Sequence, residues 1–324
     1  MKNKGKPING VFLLDKSLGI SSNLALQKTK RLFQANKAGH TGSLDPLATG
    51  MLPICFGEAT KFSQFLLDAN KRYTTVAKLG IKTTTGDAEG EIVKECAVPL
   101  LTVEQLNHIL EKFRGEIKQV PSMYSALKHQ GKALYKYARE GQIIERPARD
   151  IVVHALTLNA YQDNFLTLDV YCSKGTYVRN LVEDIGDMIG CGAHVVKLHR
   201  TQVANLPAIM HSLAQAEAIL AQLSTVDEKV LQENNLLLPV DILVKSLPSM
   251  VVTDRQSVDL LQGKIVQLEE TQLNDLTQDA LIDVPLALYS QNTAKFIGIG
   301  VLNTELLLRA KRMMSQTHYD SNNF

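Results

Sequence analysis

The four cysteines, Cys55, Cys96, Cys172 and Cys191, are scattered through 324 residues with no C-x-x-C pair. That spacing speaks against a zinc site or a disulfide frame and predicts free thiols in a reducing cytoplasm. No run of 18 apolar residues occurs, so no membrane-spanning helix is expected. The segment Met1 to Gly10 is basic but carries no apolar core of the secretory kind. G-x-x-x-x-G-K-[ST] is absent, and no G-x-G-x-x-G follows a strand-like run, which argues against a nucleotide-binding enzyme of the usual kinds. There is no internal repeat, and low complexity is confined to a polar tail after Met314. Net charge is also nearly missing, at +2.

The balance hides an uneven distribution. Residues 1–40 hold eight Lys or Arg against the single acid Asp15, and residues 112–150 hold nine against four acids. Residues 225–285 reverse this, with eleven acids against four bases. Basic segments suit a phosphate-backbone partner, although a charged face can equally be only solvated. Hydrophobic content of 45% and charged content of 21% fit a globular chain long enough for one large domain or two smaller ones.

The densest local signal is Gly39-His40-Thr41-Gly42-Ser43-Leu44-Asp45-Pro46-Leu47-Ala48-Thr49-Gly50-Met51-Leu52-Pro53. Glycine permits positive φ and proline fixes φ, so this run predicts a loop with set turns. Asp45 is its one carboxylate, biased toward extended backbone by Pro46. With no Lys or Arg between Gly39 and Pro53, a carboxylate in such a loop can be held toward a ligand without being tied up in a salt bridge within it. A turn cap is the other reading for an Asp so placed.

Around the loop, Val11–Leu14 reads as a buried strand, and Ser21 or Ser22 caps a helix through about Gln34. Phe62, Phe65 and Leu66 have helical spacing, ending near Asn70. Lys71 opens a strand through Leu79, with Tyr73 at its start. Thr83 to Glu91 reads as a loop whose Asp87 and Glu89 are solvated rather than metal ligands. Thr102 and Gln105 form a capping box before Leu106, Ile109, Leu110 and Phe113. Pro121 makes 120–128 irregular. Between Lys128 and Arg149, basic residues interleave with Tyr135 and Tyr137, a pattern that suits a nucleic acid or a solvated helix. Ile151–Leu158 and Phe165–Cys172 read as antiparallel strands joined at Asp163-Asn164. Val178, Leu181, Val182 and Ile185 define an amphipathic helix, with Arg179 off its apolar face. A cation in a first helical turn opposes the dipole, so a carboxylate or phosphate partner would account for it. The Gly-rich turn at 190–192 feeds another strand. Residues 211–238 read as helix and linker, and strand-like runs from Val251 include Phe296–Leu302.

The fifteen-residue loop resembles the catalytic motif of the TruB family of bacterial tRNA pseudouridine-55 synthases. So do Asp15-Lys16 with Gly19-Ile20-Ser21-Ser22-Asn23, Lys71-Arg72-Tyr73, the run Val120 to Lys128, and Cys172-Ser173-Lys174-Gly175-Thr176-Tyr177-Val178-Arg179. Order and spacing agree from about Gly10 to Arg200. One departure stands at Leu198-His199-Arg200, where the family pattern is Leu-Arg-Arg. The resemblance implies an α+β fold: a mixed, mainly antiparallel sheet flanked by helices over residues 1–245, a PUA-like RNA-binding β domain over 246–314, and a polar tail at 315–324. It implies Asp45 as the essential carboxylate, Arg179 as its partner and Tyr73 against the target base. His40, Tyr73, Tyr177 and Leu198 would bind substrate, and Tyr124 and Lys128 would lie near the cleft. The implied partner is the T-arm loop of tRNA, met by a cytoplasmic monomer that everts one uridine. Isomerising uridine involves no redox change, so no cofactor is expected, and no metal is required. Asp45 could attack C1′, add to C6 or take the 2′-proton. An RNA-binding or chaperone protein without catalysis is the alternative class, against which the intact Asp45, Tyr73 and Arg179 set argues.

Overall fold

The computed structural model describes residues 5–269, 272 and 281–316. In chain order come β1 (Gly10–Lys16), α1 (Ser22–Leu32), β2 (Ala38–His40), β3 (Ala48–Phe56), α2 (Gln64–Leu67), β4 (Lys71–Leu79), β5 (Ile81–Thr83), β6 (Ile92–Glu95), α3 (Val103–Glu111) and β7 (Gly115–Gln119). Next are β8 (Lys128–His129), β9 (Lys132–Ala133), α4 (Leu134–Arg139), β10 (Arg149–Gln162), β11 (Phe165–Cys172), α5 (Val178–Ile189) and β12 (Ala193–Val203). The remainder holds α6 (Leu213–Leu220), α7 (Glu228–Glu233), β13 (Ser249–Val252), α8 (Asp254–Leu261), β14 (Val266–Gln267), β15 (Pro285–Ser290), β16 (Phe296–Leu302) and β17 (Leu307–Met313). The expected polar tail falls mostly outside the described residues.

Eight strands form one sheet in the order β1-β3-β12-β4-β11-β10-β7, with β2 also paired to β3. The sheet is antiparallel except where β12 runs parallel to β3. β1 and β3 read as unbroken apolar runs because they are covered on both faces. Phe12 and Leu14 of β1, with Leu52, Ile54 and Phe56 of β3, enter the main core. The alternate residues Val11, Leu13, Met51 and Cys55 enter a second core shared with Val240, Leu243, Val244, Ala287 and Ile299. A smaller sheet, β13-β15-β16-β17-β14, closes over a third core. The mixed, mainly antiparallel fold with a small C-terminal β unit is therefore what the molecule has.

Local signals act as their chemistry requires. The Ser21 hydroxyl accepts the Leu24 N–H at the start of α1, and Thr102 with Gln105 makes the full capping box of α3. Asp163 and Asn164 take φ of 50° and 65°, the left-handed pair that a tight hairpin needs between β10 and β11. Leu166, Leu168 and Val170 are all buried on one face of β11. β10 runs on to Gln162, past the Leu158 end that the apolar alternation suggests. Register shifts between Val153/Ala155 and Leu158/Ala160 break the period there.

Candidate functional site

The loop from Gly39 to Pro53 is fastened from both sides. Ser22 Oγ accepts the Leu44 N–H at 2.7 Å and donates to the Leu44 carbonyl at 2.9 Å. The Gly19 N–H donates to the Pro46 carbonyl at 2.9 Å, and the Ala48 N–H closes back on the Asp45 carbonyl at 3.0 Å. Leu44 and Leu47 are buried anchors on either side of Asp45. Gly50, at φ +95°, lies so close to β12 that a Cβ there would stand 2.4 Å from the Arg200 carbonyl oxygen. Only glycine fits that backbone and that approach. The result is a rigid loop holding one carboxylate whose side chain is 41% exposed.

Arg179 meets that carboxylate. Its Nε lies 3.0 Å from Asp45 Oδ2, while the Arg179 side chain is only 5% exposed. Nη1 donates to the Thr85 carbonyl at 2.7 Å and lies 3.5 Å from Asp87 Oδ2. Nη2 donates to the Tyr124 carbonyl at 2.8 Å. The first turn of α5, the 84–91 loop and the irregular 120–127 segment thus fix one guanidinium. That supplies the reason for a cation at a helix start. The absence of Lys or Arg inside the loop does not leave Asp45 free, because its partner comes from 134 residues downstream.

Asp87 overturns the reading of a solvated acid. It is buried, Oδ1 accepting the Thr85 hydroxyl at 2.5 Å and the Glu89 N–H at 3.1 Å while Oδ2 faces Arg179. Its loop is tied to β12 by Ala88 N–H to the Val195 carbonyl and Val195 N–H to the Gly86 carbonyl. Asp45, Arg179 and Asp87 form a carboxylate–guanidinium–carboxylate line. Burial pushes the Asp45 carboxyl above its ordinary range, Arg179 pulls it back, and the Asp87 charge raises it again. Beneath the loop, Glu183 of α5 packs against Gly86, where its Oε2 would stand 2.8 Å from an added Cβ. Burial pushes Glu183 up to about 7.

The other sequence-predicted residues gather at the same place to different degrees. Tyr177 caps α5, its N–H donating to Gln119 Oε1 at 2.8 Å and its carbonyl accepting from Gln119 Nε2 at 3.1 Å. Burial raises the Tyr73 and Tyr177 phenols, and the Asp45 charge acts on both in the same direction. Leu198 is buried on β12, opposite Ala48 at the loop's exit and Thr75 of β4. His40 is half-buried on β2, and its charged neighbour is Arg200 rather than Asp45. Burial first, then Arg200, lowers the pKa of its imidazole. His199, the departure from the family pattern, shares a 2.8 Å hydrogen bond with the Thr49 hydroxyl.

Lys16 adds a group to which the sequence assigns no role. It is fully buried, with Nζ donating to the Ser17 and Ile20 carbonyls and to Pro46, next to Asp45. Burial pushes the ammonium down to about 8, against the pull of Asp45. The tyrosines at 135 and 137 are engaged at home, under Arg139 at 5.5 Å and Lys132 at 4.4 Å. Among the described residues no group of three or more His, Cys, Asp or Glu is placed to hold a metal, and no helix is long and apolar enough to cross a membrane.

Comparison with known proteins places the chain in a family. The profile of the TruB family pseudouridylate synthase N-terminal domain matches residues 30–178, and that of the tRNA pseudouridylate synthase B C-terminal domain matches 179–245. A protein of Shewanella baltica named tRNA pseudouridine synthase B is 52% identical over 314 residues, covering 96% of this chain and 95% of that one. A namesake from Shewanella putrefaciens is 51% identical over the same shares. Among solved structures, a Cbf5-Nop10-Gar1 complex superposes with a TM-score of 0.70 over 96% of this chain and 86% of that chain, at 20% identity. The archaeal box H/ACA Nop10-Cbf5 complex gives 0.70 over 97% and 88%, also at 20%, so both speak for the fold. With matched profiles across most of its length and relatives sharing half its residues, the chain belongs to the TruB family of pseudouridylate synthases.

Proposed function

We propose that this protein isomerises the T-loop uridine at position 55 of tRNA to pseudouridine, using Asp45 as the essential carboxylate. The observation that carries the reading is the 3.0 Å contact between a 41% exposed Asp45 and a buried Arg179. A guanidinium so held favours the ionised carboxylate and fixes its direction, while the open side of Asp45 is left for substrate. In the reaction N1–C1′ breaks, C5–C1′ forms, the C5 proton leaves and N1 gains one. No electron is lost or gained, so the chain's own groups suffice. One ionised oxygen centre is required at the sugar or the ring.

The target base is stacked in a folded loop and must be everted, at a cost of a few kcal/mol. Tyr73, Tyr177 and Leu198 line the uridine pocket, and an aromatic ring against a base is worth roughly 1–3 kcal/mol. His40, in the same loop as Asp45, contacts a phosphate or fills the vacated stack. Basic residues of 1–40 and 112–150 meet the RNA backbone. The division is a catalytic part at 1–245 and a PUA-like RNA-binding part at 246–314, in a cytoplasmic monomer. The relatives' name, tRNA pseudouridine synthase B, supports tRNA as the substrate.

The test is release of tritium from a tRNA transcript labelled at C5 of uridine. Turnover is expected on a transcript with uridine 55 and none when that position is cytidine. Binding without release would favour an RNA-binding protein that lacks catalysis, and release from both transcripts would remove the position.

A further inference from the structure

Arg200 is among the most buried side chains of the molecule, at 2% exposure, and it forms no ion pair among the described residues. A buried charge without a counter-ion is costly unless its donors are satisfied. The donors of Arg200 go to the loop that carries Asp45. Nε donates to the Met51 carbonyl at 2.7 Å, and Nη2 donates to the Gly42 carbonyl at 3.2 Å. One bond is to the arm entering the loop and the other to the arm leaving it, with Asp45 between. Gly42 is held at φ +89°, which glycine adopts without strain, and a Cβ there would meet Arg200 Nη1 only at an ordinary contact distance of 3.9 Å. The sheet register sets Arg200 opposite Gly50 on β3 and opposite Tyr73 on β4. Directly opposed residues of neighbouring strands share a face, so the Arg200 and Tyr73 side chains are cross-strand neighbours. The Arg200 charge acts on both the Tyr73 phenol and the His40 imidazole in the lowering direction.

Backbone carbonyls satisfy donors without cancelling a unit charge. Lys71 makes the same arrangement next door, its Nζ bound to the Leu66, Leu67 and Ala69 carbonyls. A neutral residue would close this space at lower cost if packing were the whole purpose. The planar fork of an arginine, by contrast, can hold several acceptors at fixed angles.

We propose that Arg200 is a positioning residue that locks the Tyr73 hydroxyl to both arms of the catalytic loop, so that the ring and the Asp45 carboxylate meet the everted base in one fixed relation. It rests on the reading of Tyr73 and Asp45 as substrate-facing. Arg200 itself lies behind them and touches no substrate. Its contribution therefore falls on the chemical step and passes through Tyr73.

The experiment uses the full chain and a uridine-55 tRNA transcript. Single-turnover rates, tRNA affinity and melting temperature are measured for wild type, Arg200→Gln, Arg200→Lys, Tyr73→Phe and the two Arg200/Tyr73 double variants. Arg200→Gln is expected to lower the rate about a hundredfold, with affinity within about threefold and Arg200→Lys recovering part of the loss. In the Tyr73→Phe background the same changes should cost much less, because residues that act as a unit are not additive. In protein carrying 3-fluorotyrosine, the Tyr73 resonance should titrate higher once the guanidinium is gone. Full additivity, or an Arg200→Lys rate equal to wild type, overturns the proposal; both can be read on Arg200→Lys if Arg200→Gln does not fold. An inactive wild type would sink the functional reading instead, and the fluorine titration would still report whether Arg200 and Tyr73 are coupled.

Discussion

Asp87→Asn isolates the buried half of the carboxylate–guanidinium line. At 3.5 Å, with an effective dielectric constant of about 20, the Asp87–Arg179 attraction is roughly 5 kcal/mol before desolvation is subtracted. Both groups are nearly fully buried, so desolvation offsets much of that gain. The hydrogen-bond pattern gives a firmer magnitude. Oδ1 serves two donors, Thr85 Oγ1 and Glu89 N–H, and Oδ2 serves a third, Arg179. An asparagine has one acceptor oxygen, so in either orientation its NH2 faces a donor. One such mismatch costs about 1–3 kcal/mol, or roughly 5- to 150-fold in rate if it misplaces Arg179. The expected result is a single-turnover rate lowered by about that factor, with tRNA affinity within about threefold. The pH profile gives a second, independent sign. Asp87 is one of the charges that raise Asp45, so its removal should move the acid limb of kcat/KM to lower pH. A wild-type rate in Asp87→Asn, or an acid limb that moves up, refutes the reasoning.

Asp45→Asn should abolish tritium release while tRNA affinity stays within roughly tenfold. Glu183, raised to about 7 from 4.5, contributes stability that is complete below its unfolded value and is lost as pH climbs through about 7. Melting temperatures should therefore fall between pH 5 and pH 7.5, and Glu183→Gln should flatten that slope; an unchanged slope rejects the assignment. Affinity for tRNA should decline linearly with salt on logarithmic axes, since phosphate contacts release counter-ions. A flat response would remove the basic surface from the interface.

Much of this was legible in the sequence where the signal is local. β4 and β16 span the residues that their apolar patterning predicts, and the Thr102 capping box is a property of four adjacent residues. The loop and Arg179 were legible as separate motifs, and the resemblance supplied the pairing between them. Asp87 was not, because a short polar loop with two acids looks solvated until a strand more than a hundred residues later covers it. The buried state of Lys16, Lys71 and Arg200 was equally hidden. A cation bonded to main-chain carbonyls leaves no complementary residue type in the sequence by which to find it. In the interleaved stretch 128–149, Tyr135 and Tyr137 each have a cation of the same stretch over the ring, Arg139 and Lys132, a pairing that the sequence spacing does not specify.

β12 is the seam of the large sheet, lying between β3 and β4 and bonded to each. A nascent chain that ends before Ala193 therefore holds Asp45 and Tyr73 on two separate pieces of sheet, with Arg200 still unmade. Synthesis must pass nearly two-thirds of the message before the carboxylate, the ring and their guanidinium braces can come into register. A product ending before β12 would carry the signature loop without the strand that joins its part of the sheet to β4.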